Sequence, residues 1–264
     1  MNEKTVQRRE FLKLVITSMA SFAALRWLPR LRMPAAPLPK KDEPDGSHSW
    51  AMVIDQERCN GCGYCIKACQ ASNDCSPDIT WSSLYQGDEV GGEPVYLPVA
   101  CMHCSHAPCV SVCPVGASYY RADGIVMMDY DRCIGCRYCQ IACPYDARSF
   151  NWDSFNEENP LVPEWGEPDV ERRPRGVVEK CTFCSQKIDR GLARGLVPGV
   201  DQQATPACVQ ACPQQARIFG DLNDPDSLVS RALAENPSYR LLENLGTGPR
   251  IYYLPVDRLN EEQS

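Results

Sequence analysis

Sixteen of the seventeen cysteines in this 264-residue chain stand in four groups of four, and no other feature restricts its fold so tightly. Group one is Cys59, Cys62, Cys65 and Cys69; group three, Cys133, Cys136, Cys139 and Cys143, repeats its C-x2-C-x2-C-x3-C spacing. Group two, Cys101, Cys104, Cys109 and Cys113, keeps the outer steps and widens the middle one. Group four widens it further, placing 23 residues between Cys184 and Cys208 in the set Cys181, Cys184, Cys208 and Cys212. Cys75 is left over. An odd total and six C-x2-C steps suit disulfides poorly, because most such pairings would be strained. The 44% hydrophobic content includes the cysteines, and 22 Pro with 17 Gly point to a loop-rich chain. Something besides aliphatic packing is expected to organise its interior.

The run C-x2-C-x2-C-x3-C, usually followed by Pro, is the spacing with which bacterial ferredoxins hold [4Fe-4S] clusters. A tight loop turns three thiolates toward one cube, and the fourth cysteine, reached after a turn of helix, faces a neighbouring cube. Pro follows Cys113, Cys143 and Cys212; Gln70 follows Cys69 and departs from the pattern without removing a ligand. Group four taken alone also fits tetrahedral zinc, since a C-x2-C pair with a distant C-x3-C pair can close around one ion. A Rieske centre needs two histidine ligands on one iron. His103 and His106 lie in group two, but all four of its cysteine places are filled, so both read as neighbours of the site or surface groups.

Residues 1–36 hold seven Lys/Arg against two Asp/Glu, so the formal net charge of −7 becomes −12 for the rest of the chain. That balance disfavours nucleic acid as a partner, because phosphate binding needs clustered positive charge. Arg8-Arg9 before a short apolar run, Leu14 to Leu25, resembles a twin-arginine export signal, and the run is too short for a comfortable membrane span. Pro34-Ala35-Ala36 is the best cleavage candidate, and cleavage stays open. An amphipathic helix is the competing reading, opposed by Pro29, Pro34, Pro37 and Pro39. Residues 37–50 read as a linker.

Ser118-Tyr119-Tyr120 and Ile125 to Tyr130 flank Ala122-Asp123-Gly124, a hairpin signal between groups two and three. These groups therefore form one unit, residues 101–144, nested inside an outer unit built from 51–100 and 145–264. The expected fold is α+β: two nested ferredoxin-like dicluster units, loop-rich and organised around iron-sulfur clusters. Val90-Gly91-Gly92 reads as a turn, Asp224 is the expected cap of a helix opened by Pro225, running through Leu233 and ended by Asn236-Pro237, and Arg250-Ile251-Tyr252-Tyr253-Leu254-Pro255-Val256 reads as an edge strand.

From Met52 to Leu254 the chain resembles the four-cluster, ferredoxin-like electron-transfer subunits of polysulfide, tetrathionate and dimethyl sulfoxide reductases. The resemblance is carried by CMHCSHAPCVSVCPVGASYY, DRCIGCRYCQIACPYDAR, KCTFC and ARIFGDLNDPDSLVSRAL. The stretch GLVPGVDQQATPACVQAC looks closest to the periplasmic iron-sulfur subunit of the transmembrane complex associated with dissimilatory sulfite reduction. The resemblance implies four [4Fe-4S] clusters, with Cys59, Cys62, Cys65 and Cys212 on one; Cys181, Cys184, Cys208 and Cys69 on another; Cys101, Cys104, Cys109 and Cys143 on a third; and Cys133, Cys136, Cys139 and Cys113 on the last. Cys75 is expected to be a packed thiol. Nothing resembles a nucleophile with its base, a phosphate loop or a dinucleotide fingerprint, so an electron-transfer subunit without catalysis of its own is expected. The implied partners are a membrane-integral quinone-reactive subunit and a second redox subunit, a cytochrome or a molybdopterin protein. Membrane association would come through a partner or an uncleaved signal, at the periplasmic face of the cytoplasmic membrane. The twin-arginine route carries proteins folded with cofactor in place, which would shield these thiolates from oxidation. A partner in a molybdopterin-dependent polysulfide or tetrathionate reductase is the alternative to a sulfite-linked complex, and a structural zinc protein is the remote one.

Overall fold

The computed structural model describes residues 44–256; the export-signal reading, and the linker as far as residue 43, lie outside them. Strand β1 (Trp50–Asp55) is buried on both faces and is the central strand of a three-stranded sheet. Strand β8 (Arg217–Asp221) runs antiparallel to it and β9 (Ile251–Leu254) parallel, with Met52 opposite both Phe219 and Ile251. The strand periodicity divides the work of β1. Trp50, Met52 and Ile54 enter the main core with Phe219, Ile251 and Tyr253, whereas Val53 faces Val229, Ala232 and Leu254. As Pro255 suggests, β9 lies at the sheet edge.

Three two-stranded pairs surround this sheet. Strands β2 (Ser82–Val90) and β3 (Glu93–Ala100) meet at Gly91-Gly92, both at positive φ, the conformation a tight hairpin requires. Strands β4 (Ser118–Tyr120) and β5 (Val126–Met128) form the hairpin expected between groups two and three, with Ser118 opposite Met128. Strands β6 (Ser149–Phe150) and β7 (Val178–Glu179) close the third pair.

The helices are short, and all but the last start next to a cysteine. They are α1 (Tyr64–Ser72), α2 (Pro108–Ser111), α3 (Tyr138–Ile141), α4 (Ser185–Leu192), α5 (Ala207–Gln210) and α6 (Leu228–Glu235). The expected cap of α6 is corrected: Ser227, not Asp224, accepts the Ser230 N–H at 3.2 Å. Asp224 instead accepts the Asp226 N–H at 2.9 Å, so its carboxylate is spent on the preceding turn. Asn236-Pro237 ends the helix where the sequence suggests. Among the described residues no helix is long and apolar enough to cross a membrane.

Candidate metal centres

The opening C-x2-C loop of each group shares one backbone device. The residue before the second cysteine has positive φ: Gly61 at 71°, His103 at 44°, Gly135 at 68° and Phe183 at 55°. This left-handed turn reverses the chain between the two cysteines of each loop. Glycine is needed in two of them beyond the torsion. A Cβ on Gly135 would lie 2.3 Å from the Gly176 carbonyl oxygen, and one on Gly61 would lie 2.4 Å from the Tyr96 ring. His103 and Phe183 bear the strain of the same turn, and their rings stack with centroids 3.8 Å apart, joining loops 101–104 and 181–184.

The cysteines converge across the sequence groups. Cys59, Cys62, Cys65 and Cys212 line one small pocket, and Cys113, Cys133, Cys136 and Cys139 line another. Burial pushes the Cys69 thiol well above the ordinary range, reinforced by Cys75, Cys181, Cys184 and Cys208 around it. Burial also pushes Cys104 up to about 12, with Cys101, Cys109 and Cys143 within electrostatic reach. In each assembly, three sulfurs come from one group and the fourth from another. All seventeen cysteines are free thiols.

The surroundings of the sulfurs fit a thiolate-held cluster. Backbone N–H groups donate to sulfur, Phe183 to Cys181 at 3.4 Å and Ala216 to Cys212 at 3.3 Å. The buried Asn73 amide reaches both Cys69 Sγ, at 3.6 Å, and Cys184 Sγ, at 3.7 Å. Burial raises the thiol of Cys208 to about 12 and also raises Cys59, Cys139, Cys143, Cys181 and Cys184. Such sulfurs shed their protons when metal binds rather than by ordinary titration. Cys62 and Cys136 are exposed; the other fourteen cysteines of the four groups are buried or half-buried.

Cys75 packs beside Cys69 of one assembly. It is 1% exposed and packs with Ile79 and Trp81, accepting from Arg173 Nη2 at 3.3 Å, which accords with a packed thiol. His106 is exposed. His103 is fully buried, and its Nδ1 accepts the Val126 N–H at 3.2 Å, which leaves the proton on Nε2. Sequence reasoning does not find Asn73 or the buried cations Arg148, Lys180 and Arg217. No spacing rule marks them, because each reaches the sulfurs through tertiary packing.

Comparison with known proteins closes on the same chemistry. Two models of a 4Fe-4S dicluster domain match residues 93–159 and 132–216, and a 4Fe-4S binding domain matches residues 50–71. The chain is 42% identical to the menaquinone reductase iron-sulfur cluster-binding subunit of Nitratidesulfovibrio vulgaris, over 78% of this chain and 88% of that one. It is 36% identical to the Hdr-like menaquinol oxidoreductase iron-sulfur subunit 1 of Archaeoglobus fulgidus, over 94% and 97% respectively. Against a tetrathionate reductase subunit of Salmonella typhimurium the identity is 35%, over 95% and 88%. With convergent thiols, donors aimed at sulfur and these relatives, the chain belongs to the family of [4Fe-4S] electron-transfer subunits of multi-subunit reductase complexes.

Proposed function

We propose that this chain carries four [4Fe-4S] clusters in a line and relays electrons between a membrane-integral quinone-reactive subunit and a second redox subunit. Bound clusters of this type supply one-electron uptake and release. The proposed ligands are Cys59, Cys62, Cys65 and Cys212 at the Cys59 site, and Cys181, Cys184, Cys208 and Cys69 at the Cys181 site. Cys101, Cys104, Cys109 and Cys143 make the Cys101 site, and Cys133, Cys136, Cys139 and Cys113 the Cys133 site. In this reading residues 101–144 are a ferredoxin-like unit nested within 51–100 and 145–264.

One observation carries the proposal: each group's last cysteine lies with another group's sulfurs, so the Cys59 and Cys181 sites, and likewise the Cys101 and Cys133 sites, are tied in pairs by a C-x3-C step. Sulfur pairs within electrostatic reach, and the stacked His103 and Phe183 rings, support an order. Cys65 acts on Cys208, Cys101 on Cys181, and Cys109 on Cys139. The line therefore runs from the Cys59 site through the Cys181 and Cys101 sites to the Cys133 site. Its two ends contain the exposed cysteines, Cys62 and Cys136. Around Cys136 the surface is apolar, with Ile134, Tyr138, Ile141 and Trp152 exposed, which suits a lasting contact with a partner subunit.

Two relatives are named for menaquinone or menaquinol, which supports a quinone-reactive partner at one end. The partner at the other end would be a cytochrome or, as the tetrathionate reductase relative suggests, a molybdopterin protein. Residues 1–36 would direct export to the periplasmic face of the membrane. Protein isolated without oxygen should contain about sixteen iron and sixteen acid-labile sulfide per chain and bleach with dithionite. A colourless zinc-loaded chain would overturn the assignment. Purification from membranes with identification of co-eluting subunits decides between the two kinds of partner complex.

A further inference from the structure

Among the described residues four Lys or Arg side chains are buried: Arg148, Arg173, Lys180 and Arg217. Arg173 is matched by Glu179, 2.9 Å away and 2% exposed at its side chain, and Glu179 also accepts from Trp81 Nε1 at 3.0 Å and from Asn151. The other three form no ion pair with a carboxylate among the described residues. Their charge is directed at uncharged atoms and thiols. Arg217 donates to Met52 Sδ at 3.5 Å and Ser82 Oγ at 3.3 Å, and Arg148 to Met128 Sδ at 3.0 Å and Ser118 Oγ at 2.8 Å. Lys180, fully buried, donates to the carbonyls of Val126 and, at 2.7 Å, Cys181.

A buried cation without a counter-charge costs several kcal/mol, so three of them in one small domain require anions nearby. Their positions show where those anions belong. Arg217 lines the pocket of Cys59, Cys62, Cys65 and Cys212 and lies within electrostatic reach of Cys208, between the Cys59 and Cys181 sites. Lys180 lies beside the stacked His103–Phe183 pair of loops and acts on Cys181 and Cys101, between the Cys181 and Cys101 sites. Arg148, held against Met128 and Ser118, lies within electrostatic reach of Cys109 and Cys139, between the Cys101 and Cys133 sites. One unmatched cation thus stands at each of the three junctions in a line of four sites. Arg173, which has its own carboxylate, lies off the line beside Cys75.

We propose that Arg217, Lys180 and Arg148 are junction residues, each holding up the reduction potentials of the two clusters that flank it. The inference rests on the four-site assignment above. A cluster becomes more negative on reduction, and a fixed positive charge in a low-dielectric interior favours that form. The cation acts on both neighbours at once, which a backbone N–H aimed at a single sulfur cannot do.

The test is redox titration of the full chain, loaded anaerobically, followed by electron paramagnetic resonance that resolves the four clusters. Arg217→Gln, Lys180→Gln and Arg148→Gln should each lower two potentials and leave two in place. The expected change in each flanking equilibrium is at least tenfold, about 59 mV for one electron. Arg217→Lys should retain the parent values, and Arg173→Gln should not produce the paired pattern. Where a Gln variant fails to fold, Ser82→Asp and Ser118→Asp place a carboxylate against the intact Arg217 and Arg148 guanidinium groups and should lower the same pairs. Unmoved potentials, or a uniform shift of all four, in protein that retains sixteen iron would overturn the junction role. Parent protein with a different iron content would instead overturn the four-site assignment.

Discussion

The segments CNGCGYCIKACQ and CIGCRYCQIACP have the same cysteine spacing and the same left-handed turns, at Gly61 and Gly63 in one and Gly135 and Arg137 in the other. They differ in the residue after the last cysteine. Beyond Cys143, Pro144 has no N–H to continue a helix and disfavours helical torsions in the residue before it, so α3 ends at Ile141. Beyond Cys69, Gln70 lets α1 run on to Ser72, and its side-chain amide donates to the Ile79 carbonyl at 3.0 Å. The longer helix brings the Asn73 amide to Cys69 and Cys184, and the turn after Pro144 leads to Arg148, which reaches Cys109 and Cys139. Equal spacing of sulfur therefore does not mean equal surroundings. One residue beyond the motif decides whether a neutral amide or a guanidinium comes next to the site.

Erasing the difference should have the largest effect. Gln70→Pro would remove a helical hydrogen bond and clash with the preceding turn, destabilising the loaded protein by about 3 kcal/mol in anaerobic denaturant unfolding. It should also displace Asn73. Next come the shared glycines. Gly135→Ala meets a backbone carbonyl as well as a left-handed torsion, and should cost about 2 kcal/mol or more and release the iron of one cluster. Gly61→Ala meets an aromatic ring that can shift, so its iron loss should be smaller; equal losses would show that the torsion alone matters. Asn73→Ala removes a buried donor to two sulfurs, worth about 1–2 kcal/mol, and should lower the potential at the Cys181 site alone. The smallest effect on the isolated chain is expected from Ile141→Asp, on an 82% exposed side chain. Its stability and iron content should be unchanged, and its affinity for the co-purified partner subunit should fall about tenfold.

The legible parts of this molecule are those that its chain encodes locally. Cysteine groups, the turns at Gly91-Gly92 and Gly124, the edge strand before Pro255 and the helix stop at Asn236-Pro237 are each contained within a dozen residues. The start of α6 is ambiguous in the sequence because Asp224 and Ser227 are both good caps, and only the fold shows which side chain is already engaged. Arg148, Lys180 and Arg217 are illegible for a different reason. Lys and Arg are ordinarily surface residues, and burial without a carboxylate emerges only when β5, β7 and β8 are packed around the sulfurs. His103 and Phe183 hide a third feature, since neither residue type announces a left-handed torsion.

The middle spacing of the cysteine groups ranges from two residues to 23, yet every group ends in C-x3-C. Cys65 and Cys69 show why, standing on one continuous helix with sulfurs turned to different sites. Four residues of helix advance about 6 Å, a length set by covalent geometry that loop packing cannot stretch. The helix acts as a ruler: insertions can accumulate between Cys184 and Cys208 while the gap an electron must cross keeps its width.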